Sequence, residues 1–99
     1  MRVLVYAPQA KADLDEIFDT IAADDDATAR RFVNRVRQAT LRLGDFPFSG
    51  PERPEIGKGA RSLNVDAYLV LYRVWVDHVL IARVVHGARN LTDMLRDDA

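Results

Sequence analysis

The side chains best suited to chemistry lie in the second half of the chain: Arg61, Arg73, Arg83, His86 and Arg89, interleaved with Tyr68 and Tyr72. Arginines grip phosphate through a planar fork of donors, and a histidine that titrates near neutrality can pass a proton. Cleaving RNA by its own 2′-hydroxyl needs these parts: a base, an acid for the leaving oxygen and cations for the phosphate charge. Their spacing argues against assembly. Strict strand alternation puts Arg83 on one face with Ile81 and Val85, and His86 on the other with Ala82 and Val84. The pair therefore should not converge without a β-bulge, and nothing in the sequence announces one. Plainer roles exist for each residue. His86 reads as a hydrogen-bonded strand end, and Arg61 and Arg83 as partners of Asp66, Asp77, Glu55 or a carboxylate on another protein. Arg89 reads as a sheet-edge cap, and Tyr68, Tyr72 and Trp75 as packing or partner-contact residues. No catalytic residue is assigned.

Other chemistry is excluded by composition. Cysteine is absent and there are only two histidines, so no disulfide, thiolate zinc site, metal centre or cofactor is expected. The N-terminal apolar run is too short for a signal peptide, and no stretch approaches the roughly 18 to 20 apolar residues of a membrane span. A cytoplasmic protein is expected. Ninety-nine residues, 48% hydrophobic and 29% charged, make one folded domain spanning 1–99. The net charge of −1 hides an asymmetry. Asp13, Asp15, Glu16, Asp19, Asp24, Asp25 and Asp26 form an acidic block, and Arg30, Arg31, Arg35, Arg37 and Arg42 follow with no intervening acid. The simplest reading is two solvated helix faces of opposite sign; the other is an anion-binding surface on the second segment.

The elements that must position these residues follow from periodicity. Residues 2–6 read as a strand handing over at Pro8 to a helix over 9–23, with Ala10, Leu14, Ile17, Phe18, Ile21 and Ala22 on its buried stripe. Asp26 is placed to cap a second helix, which carries Ala29, Phe32, Val33, Val36, Thr40 and Leu43 inward and stops at Gly44. Three prolines and three glycines make 45–59 a long connection, which Phe46 and Phe48 are expected to pin to the core. Strands follow over 60–65, 68–76 and 78–86, the last two forming a tight hairpin. Leu91, Met94 and Leu95 are spaced as one helical turn. The order β-α-α-β-β-β predicts an α+β fold, a helical hairpin on one face of a mostly antiparallel four-stranded sheet. The 68–76 strand is apolar on both sides, so the other face should present an open hydrophobic patch for a protein partner.

Ala10-x-x-Asp13-Leu14-x-x-Ile17, Phe46-Pro47 with Gly50, Arg61, Tyr68-x-Val70-x-Tyr72 and Arg83-Val84-Val85-His86-Gly87-x-Arg89 together resemble the ParE branch of the RelE/ParE toxin superfamily. The resemblance implies a toxin neutralised by a co-encoded antitoxin of ParD or related type, wrapped around it as an extended and helical segment. ParE-like members imply inhibition of DNA gyrase, and RelE-like members ribosome-dependent mRNA cleavage. Two features of the nucleases are missing here. The only tyrosines are Tyr6, Tyr68 and Tyr72, none near the C-terminus, and the only lysines are Lys11 and Lys58. The expectation is a gyrase inhibitor with no sequence-specific nucleic-acid binding; the alternatives are the endonuclease using Arg61, Arg83 and His86, or a non-toxic homologue that binds antitoxin.

Overall fold

The computed structural model describes residues 1–95, in which β1 (Val3–Tyr6), α1 (Pro8–Ala22), α2 (Asp26–Asp45), β2 (Arg61–Val65), β3 (Tyr68–Val74) and β4 (His78–His86) follow in order. The sheet runs β1-β4-β3-β2, with β1 parallel to β4 and the other neighbours antiparallel. Both helices cover one face, as the apolar stripes require.

Local chemistry sets the helix boundaries. Ala7 is extended and Pro8 opens α1, where its missing N–H costs nothing. Asp25, rather than Asp26, caps α2: its carboxylate accepts the Ala27 N–H at 3.0 Å and the Thr28 hydroxyl at 2.9 Å. Asp26 becomes the first helical residue and pairs with Arg30 one turn on, at 2.7 Å. Gly44 is not the stop, because α2 continues through it to Asp45. Its lack of a side chain serves packing instead. A Cβ there would meet the Arg2 carbonyl at 2.9 Å, where the helix end crosses the start of β1.

The core is double. Phe32, Val36 and Leu43 of α2 and Ala10 of α1 close over Val70, Tyr72, Val79, Ile81 and Val84. On the opposite face, Leu69, Leu71, Ala82 and Val85 are buried beneath Ile56, Ala60, Leu91 and Leu95. The expected open patch is thus covered by the chain itself, through the 53–60 connection and the 91–95 turn. Arg73, only 6% exposed, ties that cover down: it donates to the carbonyls of Lys58 at 2.9 Å and Leu95 at 2.8 Å. Backbone bonds from Asp93 to Glu55 and from Leu95 to Ile56 complete the seam. Leu91, Met94 and Leu95 sit in a turn that is not helical, since Asp93 takes a φ of 60°, and it is closed by a Met94 N–H to Leu91 carbonyl bond.

Phe46 and Phe48 do not pin the connection, being 66% and 60% exposed. The anchor is polar. The buried Tyr72 hydroxyl donates to the Pro47 carbonyl at 2.9 Å and accepts the Gly50 N–H at 3.0 Å. A Cβ on Gly50 would lie 2.6 Å from that hydroxyl and closer still to the Ser62 carbonyl, so only glycine fits.

The β3–β4 hairpin holds one irregularity. Leu71 faces Arg83 while Tyr72 faces Ile81, so Ala82 is an extra residue on β4. This bulge lets Ile81 and Val84, three apart, both enter the helix-side core. Strand β3 ends at Val74 rather than at 76, and Trp75 donates its N–H to the His78 carbonyl across the turn.

Candidate functional site

Strand β1 covers the outer edge of β4 only as far as Ile81, where the Ala7 N–H adds a last bond to the Ile81 carbonyl. Beyond that point the edge of β4 would present unpaired backbone groups, and α1 takes over. Asp13, 9% exposed, accepts the Val84 N–H at 2.9 Å, Arg83 Nε at 2.8 Å and Nη2 at 3.2 Å, and the Gln9 amide at 3.2 Å. Burial pushes its pKa up, but the bonds from Arg83, Val84 and Gln9 outweigh that and hold it below the ordinary value of 3.8. Asp13 belongs to the acidic block that reads as a solvated face, yet it is buried, and its signal in the sequence is a carboxylate set in the apolar stripe between Ala10, Leu14 and Ile17.

Around this pair lies a shallow depression lined by Gln9, Asp13, Glu16, Thr20, Tyr68, Arg83, His86 and Arg89. Arg83 shares a sheet face with Leu71 by register, and His86 shares the opposite face with Val84 and Tyr68. Alternation holds from Arg83 to His86 but not across the Ala82 bulge, which moves Ile81 to the face of Val84 and Ala82 to that of Val85. Even so, the expectation that Arg83 and His86 stay apart fails. Because the edge of β4 is free of β1 there, the Arg83 side chain turns around it toward α1 and reaches the depression that His86 also lines. His86 packs edge-on against Tyr68, ring centroids 5.3 Å apart, and Tyr68 rests on Phe32 at 5.0 Å. The Nδ1 of His86 accepts the Ala88 N–H at 3.1 Å, so in the neutral ring the proton sits on Nε2. Arg89 follows in the same turn, its N–H bonded to the His86 carbonyl.

The remaining candidates lie elsewhere. Tyr72 is fully buried and contacts no partner surface, and burial raises its pKa above 10.0. Arg61 braces the loop before it: it donates to the carbonyls of Gly50 at 2.7 Å and Phe48 at 3.3 Å and reaches Glu52 at 3.5 Å. Its expected acids are engaged by others, Asp66 by Arg35, Glu55 by Arg53 and Asp77 by His78. Arg61 and Arg2 place their guanidinium groups over Phe48, 5.0 and 5.5 Å from its centroid. Arg2 also donates to the Trp75 carbonyl, so Met1, Phe46, Phe48, Trp75 and Val76 expose apolar side chains at one end of the sheet.

Among the described residues no cluster of histidine and carboxylate side chains could hold a metal ion, and no helix is long and apolar enough to cross a membrane. What the depression offers is a charge-assisted pair, an aromatic wall and one accessible imidazole.

A family model described as the ParE toxin of the type II toxin–antitoxin system, parDE, matches residues 4–91. Toxin ParE3 of Caulobacter vibrioides is 32% identical over 95 residues, which cover 95% of this chain and 94% of that protein. A chain of the chromosomal ParDE TA system from P. aeruginosa superposes with a TM-score of 0.76 at 25% identity, over 87% of this chain and 96% of that one. In sequence and in fold alike, the chain belongs to the ParE toxin family of type II toxin–antitoxin systems.

Proposed function

We propose that this ParE-type toxin works by binding, as an inhibitor of DNA gyrase in the cytoplasm, and that a cognate antitoxin of ParD or related type holds it inactive. One observation carries the inhibitor reading. Arg83, which lines the depression with His86, is locked to Asp13 by two hydrogen bonds, and the Val84 N–H and the Gln9 amide complete the carboxylate's shell. A phosphate arriving there would meet a neutralised arginine beside a carboxylate, which is the wrong field for a transition state gaining negative charge. The exposed apolar end built from Met1, Phe46, Phe48, Trp75 and Val76 supports a stable protein partner, because permanent interfaces bury such side chains. That end replaces the sheet face as the antitoxin's docking place.

The test is a supercoiling assay with purified toxin and gyrase. Loss of supercoiling or trapped cleavage complexes, reversed by antitoxin, is expected; gyrase that stays fully active removes the reading. A second reading, the ribosome-dependent endonuclease, is favoured by the shared depression of Arg83, His86 and Arg89. Cuts mapped in ribosome-bound message and abolished by His86→Ala would establish it instead.

A further inference from the structure

The arginines of α2 are lightly tied to the fold: Arg35 reaches Asp66, and the bonds of Arg30 to Asp26 and of Arg31 to Thr28 stay within the helix. Between Arg30 and Arg42 the helix carries five arginines and no acid, all on its solvent side. Arg31 and Arg35 stand four apart, a spacing at which like charges repel, and Arg42 continues their line past Gln38. Two internal acids touch this set, Asp26 on Arg30 at 2.7 Å and Asp66 on Arg35 at 3.3 Å. Both pairs are exposed and offset little of the repulsion.

The stripe borders a groove between α2 and the edge strand β2. Arg35 and Arg42 stand over Ala39, Leu41 and Val65, and the groove continues past Leu63 to Phe46. Leu41 is 54% exposed on the same face. A surface of this kind selects its partner by charge. The apolar floor suits a protein with acidic side chains around an apolar one better than a phosphate backbone.

We propose that the arginine face of α2, with the groove it shares with β2, is the surface through which the toxin engages its target, against a carboxylate-rich protein patch on that target. The proposal rests on the reading that the target is a protein. The target, rather than the antitoxin, is the occupant because charge-dominated surfaces give fast, salt-sensitive association, whereas the apolar end of the molecule has the character of a permanent interface.

The experiment compares the wild-type toxin with Arg35→Glu/Arg42→Glu and with Arg37→Glu/Arg42→Glu, the second pair leaving the Arg35–Asp66 contact intact. The corresponding lysine double variants serve as charge-preserving partners. Gyrase binding at several salt concentrations, growth arrest on induction, antitoxin affinity and binding to duplex DNA are read for each. Expected are a loss of gyrase binding of at least about tenfold in both glutamate variants, a flatter salt dependence, and recovery of most of the loss with lysine. Antitoxin affinity stays close to that of the wild type. The proposal is overturned if antitoxin affinity falls while gyrase binding holds, if neither changes, or if duplex DNA binding alone is lost. A wild-type toxin that ignores gyrase sinks the choice of target separately, and undiminished growth arrest by the folded glutamate variants sinks the α2 surface whatever the target.

Discussion

Asp13 meets three demands with one carboxylate: it closes the edge of β4 at Val84, neutralises Arg83 and fixes α1 against the sheet. Since its folded pKa lies below the unfolded value of 3.8, the stability it supplies is complete above that value. That share is lost as pH falls through the folded pKa. Asp13→Asn should therefore flatten the acid limb of a stability-versus-pH curve and lower stability at neutral pH by about 2 to 3 kcal/mol, because Arg83 is left without its partner. Urea titrations between mildly acid and neutral pH would show both effects; a variant with an unchanged acid limb would remove Asp13 from this role. Tyr72→Phe is expected to cost about 1 to 3 kcal/mol, since it strands the Gly50 N–H and the Pro47 carbonyl. The loop change would be visible as faster exchange of the Gly50 amide. In the sequence Asp13 shows only as a carboxylate set in a buried stripe, with no sign of Arg83 as its partner, and the role of Tyr72 was not legible at all. Tyr72 looked like a contact residue because alternation shows which face a side chain takes, and not what folds over it.

At the scale of elements, the apolar periods located both helices and all four strands to within a residue or two, because burial of a stripe repeats at a fixed spacing. What they did not reveal depends on contacts distant in sequence. Gly44 reads as a helix stop unless the Arg2 carbonyl is known to press on it. The Ala82 bulge leaves no mark, since alanine suits either face. The largest departure was the second face of the sheet, covered by 53–60 and 91–95 and held by Arg73. Replacing Leu91 and Leu95 together by serine should free that cover while leaving the helix-side core intact. Greater binding of a hydrophobic dye with near-native helical circular dichroism is expected, and an unchanged dye signal would argue that the cover is held by backbone and Arg73 alone.

For the whole molecule, the consequence is a sheet sandwiched unequally, with a helical layer on one side and a thin strap of connection and turn on the other. Strand β3 lies in the middle of both, its five central residues buried. Native-state hydrogen exchange should find its amides among the most protected, with those of the four-residue edge strand β1 opening sooner. Equal protection across the sheet would contradict this order. The charge layout is also a property of the whole: acids on α1, arginines on α2 and exposed aromatics at one sheet end give three surfaces of different character to a chain of net charge −1.

The pairing of β1 with β4 sets when the fold can be finished. The first strand of the chain has one strand neighbour, and it is the last strand; the Asp13–Arg83 lock likewise joins positions seventy residues apart. During synthesis, at roughly 5 to 20 residues per second, the N-terminal strand and α1 leave the ribosome with nothing to close against. Helical turns can form and dissolve in that interval, but the native edge cannot. The β1–β4 edge and the Asp13–Arg83 lock can therefore close only late, after β4 has emerged.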